Sequence, residues 1–423
     1  MTRTQALVGI IATMAFLFAP EVAAQNCAAL TARFQPKLGS GYTSNVIATG
    51  LRSPRHIAID SAGNLLVAEG GSGSVIRLVL KENADGTVCV QSSAALTTDR
   101  STNHGIALSA DGKTLYTSSL ASVTAYPYDA AAGTIGAGKV IISGMSNTGT
   151  HPTRAILISK SSPDTLLVAR GSNGNIDTAT ATLSTARSVI KTFSLSKVAS
   201  SPADFATGGE TLGWGLRNIV GMGEDPISGG VWSVENSMDD VRFGGRDVHN
   251  DNPAEKANYH GVLNATTNSL KGANFGYPSC VPAWDPSVLG TGGYQVGSLF
   301  KADSTPAAPD CATYQKGRLH FPAHTAPLDI KFNANATSAY IAFHGSWNRS
   351  PPDGYRVMRV DFKSGQPVAE ATSKTAQVPV MENINTASCP RSCFRPVGLD
   401  FDKKGRLYVS SDTSGEVHVV YGA

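Results

Sequence analysis

The sequence predicts an all-β chain folded as a six-bladed β-propeller with long inter-blade loops, and three observations predict it. One pattern, an alternating apolar strand, a turn with Asp, Gly or Pro, and a second apolar strand with a polar end, recurs at residues 54–70, 103–119, 153–171, 216–236, 326–345 and 395–415. A third strand follows most copies, as in SVIRLVL, SVTAYPY, SVIKTFSL, YRVMRVDF and EVHVVYG. Abundant glycine and proline, 43 and 22 residues, with only 16% charged residues, suit short strands and tight turns better than long surface helices.

The copies in order are PRHIAIDSAGNLLVAEG, NHGIALSADGKTLYTSS, TRAILISKSSPDTLLVARG, LRNIVGMGEDPISGGVWSVEN, APLDIKFNANATSAYIAFHG and RPVGLDFDKKGRLYVSSDTSG. Their strands are short and β-rich, and the GN, DG and KG pairs fit hairpin turns. Successive four-stranded sheets of this kind are the mark of a propeller. The span between the fourth and fifth copies is rich in Gly, Pro and Asn and is assigned to insertions and loops. GSGS at residues 71–74 and GSNGN at 171–175 lie between no strand and helix, so they read as blade turns.

Residues 1–24 read as a secretory signal peptide: Arg3 supplies the positive start, residues 7–18 an apolar run too short to span a bilayer, and Val22, Ala23 and Ala24 a cleavage site. Residues 25–423 are then the propeller domain, expected to be secreted and extracellular. No later stretch reaches membrane-spanning length, and the net charge of +3 without a basic run argues against nucleic acid. Six cysteines suit three disulfides in an oxidising compartment, and joining neighbours pairs Cys27 with Cys89, Cys280 with Cys311 and Cys389 with Cys393. Glycosylation triplets occur at Asn264, Asn335 and Asn348.

In a propeller the first strand of each blade lines the central channel, and its leading end sits at one mouth. Those positions here hold Arg55, His104, Arg154, Arg217 with Asn218, His324 and Arg395. One arginine at a strand start is an ordinary edge charge. Several converging on one axis repel one another unless a counter-charge is present, so the ring predicts a multiply anionic ligand gripped by guanidinium forks.

The fourth copy runs into WSVENSMDDVRF, which crowds Glu235, Asn236, Ser237, Asp239 and Asp240 into one loop beside Arg217. Carboxylate, amide and carbonyl oxygens together suit a hard cation such as calcium, although the spacing is not that of an EF-hand. No GxSxG elbow, phosphate loop or HExxH motif is present.

The segments HPTRAILIS, ARGSNGNID, GWGLRNIVGM, WSVENSMDD, GANFGYPSC, HTAPLDI, HGSWNRSPPDGYRVMRVDF and RPVGLDFDKKGRLYVSSDTSG together resemble the fungal pyrroloquinoline-quinone-dependent pyranose dehydrogenases. They are similar, more distantly, to the bacterial sorbosone and soluble glucose dehydrogenases. The resemblance implies a secreted oxidoreductase that uses pyrroloquinoline quinone and Ca2+ to oxidise the anomeric carbon of a pyranose or related aldose. Electrons would pass to an external acceptor such as a secreted cytochrome, a quinone or a redox enzyme, since the chain has no room for a built-in cytochrome or cellulose-binding module. It implies Arg154, Arg217, Asn218 and Arg395 as holders of the tricarboxylate, with His344 and Asn348 at its edge and Arg55 as a weaker candidate. Calcium would be held at Asn236 and Ser237 with Asp239 or Asp240 close by, and His104 would be the base, with His324 as its competitor. Two other functions fit a propeller: a calcium-dependent lactonase and a non-catalytic carbohydrate-binding module.

Overall fold

Alternating apolar strands bury one face only if another sheet covers it, and here apolar clusters lie between successive blade sheets. The computed structural model describes residues 29–97, 99–146, 149–307 and 310–423, so the signal-peptide reading and Cys27 lie outside the described residues. Each repeat opens one blade of a six-bladed propeller. The innermost strands are Pro54–Ile59, Ile106–Leu108, Ile156–Ile158, Ile219–Glu224, Pro327–Phe332 and Pro396–Phe401, and each pairs antiparallel with the strand that follows it.

The core is divided among the six blade interfaces. Leu66, Ile106 and Tyr126 pack between blades one and two, and Tyr116, Ile156 and Val168 between two and three. Leu167, Ile219 and Val231 fill the third interface, Trp232, Ile330 and Phe343 the fourth, and Tyr340, Leu399 and Val409 the fifth. The sixth closes the ring: Thr43–Ala48 pairs antiparallel with Glu416–Tyr421, and Ile47, Tyr408 and Val417 meet Ile57 and Val67 of blade one. On the axis Val220, Leu328 and Val397 come together.

The long insertion proves to lie within a blade instead of between two. In blade four, Glu255–Val262 pairs with Leu319–Phe321, so residues 263–318 leave and rejoin one sheet. The acidic stretch is likewise an excursion between Gly230–Glu235 and Glu255–Val262. The two excursions share a small core of Met238, Val241, Tyr277, Leu289 and Phe300, and the Cys280–Cys311 disulfide ties the longer one together. The Cys389–Cys393 disulfide also forms as predicted.

Candidate active site

A cavity of about 430 Å3 opens beside the start of blade four's inner strand, walled by Thr150, His151, Asn175, Arg217, Asn218, Asn236, Ser237, Asp239, Asp240, Glu255, His324, Ala326, Trp347 and Asn348. Its floor is set by two buried carboxylates. Glu235, ion-paired to Lys256 at 3.0 Å, accepts the backbone N–H of Arg217 at 2.9 Å, which fixes where that strand begins. Glu255 accepts the N–H of Ser237 at 2.6 Å and so fixes the acidic loop. Burial pushes the Glu255 carboxyl up to about 8.

Arg217 answers the charge problem of its sequence position locally. Its Nη2 donates to Asp239 Oδ2 at 3.0 Å and to Asn175 Oδ1 at 3.1 Å, and its Nε to Asn175 O at 3.1 Å. Burial alone would raise the Asp239 carboxyl. His324 at 3.3 Å, the Arg217 charge and the Asn348 amide at 2.7 Å together hold it well below the usual carboxylate range. Asn218 stands next to this pair with its buried Oδ1 unpartnered within the protein. The backbone approaches so closely here that a Cβ on Gly171 would meet Asn218 Oδ1 at 2.5 Å and His151 Cβ at 3.1 Å.

The predicted ring therefore divides. Arg217, Asn218, His324, Asn348, Asn236, Ser237, Asp239 and Asp240 line the cavity together. Arg55, Arg395 and His344 form a second cluster outside that wall, centred on Asp412, which sequence reasoning missed. Arg55 Nη1 reaches Asp412 Oδ2 at 2.7 Å, and His344 Nε2 lies 2.9 Å from Asp412 Oδ1. Arg395 donates to the carbonyls of His344 and Gly345 at 3.0 and 2.8 Å. Arg154 goes elsewhere. It is 0% exposed and its guanidinium is wrapped by the carbonyls of His151, Thr153 and Met145, with burial bringing its pKa down to about 9. The arginines do not face one another uncompensated, because Asp239 and Asp412 supply internal counter-charge and backbone oxygens satisfy the other two.

His104 does not line this cavity. It is 0% exposed in the channel, accepting from Arg55 Nε at Nδ1 (3.2 Å) and donating from Nε2 to Val220 O (2.8 Å), and its ring packs on His56 at 3.9 Å. His324 directs both ring nitrogens at oxygen acceptors, His249 O at 2.7 Å and Asp239 at 3.3 Å. His151 is the second imidazole on the cavity wall. Its Nδ1 lies 3.0 Å from both Ser172 O and Ser172 Oγ. Since that hydroxyl donates to Gly174 O at 2.7 Å, both partners accept, Nδ1 carries the proton and Nε2 is the basic nitrogen. Burial first, then the Arg217 charge, lower its pKa to about 4. His151 stood in HPTRAILIS, three residues before the arginine that drew attention instead. Asn175 was likewise hidden in a Gly-rich segment read as a turn.

Does this wall fit a quinone and a calcium ion? The Arg217 guanidinium suits a carboxylate, and the unpartnered Oδ1 of Asn218 beside it suits a ligand N–H or O–H donor. For a cation, no three His, Cys, Asp or Glu side chains converge among the described residues. The oxygen donors at hand are those of Asn236 and Ser237, with the buried Glu255 carboxyl behind them. The sequon at Asn348 has its Nδ2 committed to Asp239.

The fold and site define a six-bladed propeller with a polar, charge-paired cavity at one mouth of its axis, a class that binds small molecules there. Residues 36–423 match the TrAA12-like family model, and the chain belongs to that family. It is 41% identical to a pyrroloquinoline quinone-dependent sugar dehydrogenase of Hypocrea jecorina, over 97% of this chain and 95% of that protein. The pyrroloquinoline quinone-dependent pyranose dehydrogenase of Coprinopsis cinerea is 38% identical over 92% of this chain, which spans only 55% of that protein's length. The holo form of its quinone domain superposes with a TM-score of 0.85 at 37% identity, covering 92% of this chain and 97% of that one. A calcium structure of a Trichoderma reesei carbohydrate-active enzyme of family AA12 superposes with a TM-score of 0.89 at 40% identity, covering 94% of this chain and 99% of that one.

Proposed function

We infer that this chain is a secreted, pyrroloquinoline-quinone-dependent sugar dehydrogenase that oxidises the anomeric carbon of a pyranose or related aldose and hands electrons to an external acceptor. The observation that carries this function is one cavity wall, in a TrAA12-like chain, joining Arg217 and Asn218 to a neutral imidazole. When bound, the quinone supplies the hydride-accepting carbon and calcium polarises it. Arg217 would hold a carboxylate of the quinone, Asn218 Oδ1 would accept from an N–H or O–H of the ligand, and Asn236 and Ser237 would hold the cation, with Asp239 keeping Arg217 in register. Arg55 and Arg395, at predicted mouth positions, form a second charged patch with His344 and Asp412, available to a ligand larger than the described cavity.

His104 is proposed as the base that takes the proton of the anomeric hydroxyl, with His324 and the cavity-wall imidazole His151 as its competitors. The test is reconstitution of the purified protein with calcium and the quinone, followed by sugar-dependent dye reduction. His104→Gln is expected to keep quinone binding, read by absorbance titration, and to lose turnover by about 10^2 to 10^4. Retained turnover in His104→Gln would move the base to His324 or His151. Lactone hydrolysis without quinone, or sugar binding with no turnover when quinone is bound, would replace the dehydrogenase by one of the two alternatives on this fold.

A further inference from the structure

Trp347 is 71% exposed, yet it stands on the rim of the cavity. The other strongly exposed apolar side chains, Ile227, Val368 and Ile384, are not part of that wall. On the rim of a polar cavity a tryptophan offers a ligand the one broad apolar face that the rest of the wall lacks. Its backbone is not a loose flap. Asn348 Nδ2 donates to Asp239 Oδ1 at 2.7 Å, His249 Nε2 to Asn348 O at 2.7 Å, Arg349 Nη1 to Ala323 O at 3.0 Å, and Ser350 N to Asn250 Oδ1 at 3.2 Å. The indole is thus presented from a pinned loop, while Asn175, Arg217 and Asp239 make the rest of the wall polar.

We propose that Trp347 is the stacking platform for the sugar ring and sets the enzyme's preference for pyranoses. A pyranose is amphipathic: one face presents C–H bonds and its edges carry hydroxyls. The C–H face lies on the indole, and the hydroxyls turn to the amides and carboxylate opposite. A linear polyol offers no such flat apolar face and gains little from the indole. This inference rests on the sugar-dehydrogenase function proposed above.

The experiment compares wild type, Trp347→Ala and Trp347→Phe, each loaded with quinone and calcium. The expected result is a KM for the pyranose raised about tenfold or more in the alanine variant, with kcat much less affected and quinone affinity unchanged. Phenylalanine restores part of the loss. An unchanged KM overturns the proposal, as does a loss of quinone affinity without a KM change, which would place the indole on the cofactor. If wild type binds quinone but oxidises no sugar, the proposed function has failed. Calorimetric sugar binding then decides the platform: binding present in wild type and lost in Trp347→Ala supports it, and equal binding in both overturns it.

Discussion

Arg217 and Arg154 begin equivalent strands and meet different surroundings, because one has a carboxylate loop in front of it and the other has its own preceding loop folded over it. That difference was illegible in the sequence. Strand register told which residues start at the mouth, but the direction of each side chain depends on loops whose backbone no periodicity encodes. The same holds for His104 and His151: the first lies in the inner-strand register and is sealed in the channel, and the second precedes it in its own repeat and lines the cavity. A titration separates these cases. With a pKa of about 4, His151 is neutral over the range in which an ordinary imidazole, near 6.5, takes up a proton. Its base form is present above 4 and lost as pH falls through 4. In the apoprotein the His151 ring resonance is expected to titrate near 4, and addition of the quinone should raise the midpoint, because nearby carboxylates favour the imidazolium. A midpoint at 6.5 or above in the apoprotein would show that Arg217 and burial do not act on this ring.

The inner strands of blades four and six carry a glycine at the axis. Gly221 faces the next blade so closely that a Cβ would come within 2.4 Å of Asp329 Cα and 2.5 Å of Leu328 O. Gly398 stands in the same relation to blade one, where a Cβ would meet Arg55 O at 2.5 Å and His56 Cα at 2.7 Å. Backbone cannot retreat as a flexible side chain can, so Gly221→Ala must push blades four and five apart. It is expected to cost about 2 kcal/mol or more, read from denaturant unfolding. The displacement should also reach the site, since Asn236 Nδ2 holds the carbonyl of Pro327 at 2.8 Å across the same junction. A variant as stable as wild type would mean that the axis is looser than its contacts indicate. The hairpins themselves were readable from alternation and turn residues. The placement of residues 263–318 inside blade four was not, because the sheet's fourth strand, Leu319–Phe321, is only three residues long and gives no periodic signal.

At the scale of the molecule, six interfaces replace a single core, and a ring of this kind is held as firmly as its closure. The closing strand Thr43–Ala48 is far from the cavity in sequence, but the blade it completes carries Arg395 and Asp412. Ile47 is 2% exposed and packs with Tyr408 and Val417 against Ile57 and Val67 of blade one. Ile47→Asp places a carboxylate in that interface with no cation among those packing partners, so it must either stay unpaired or open the junction. The expected loss is more than ~4 kcal/mol, a size confined to a few mechanisms of which an unpaired buried charge is one. Ile384→Asp, at a position 71% exposed, serves as the control and should change stability by less than about 0.5 kcal/mol. Opening one junction exposes an apolar face on each of two blades. Quinone binding in Ile47→Asp should therefore fall in step with the loss of tertiary signal on heating, since Arg395 and Asp412 move with blade six. If thermal melts showed blade six releasing alone, with the cavity of blade four still binding quinone at wild-type affinity, closure would be a local feature and the ring would not act as one unit.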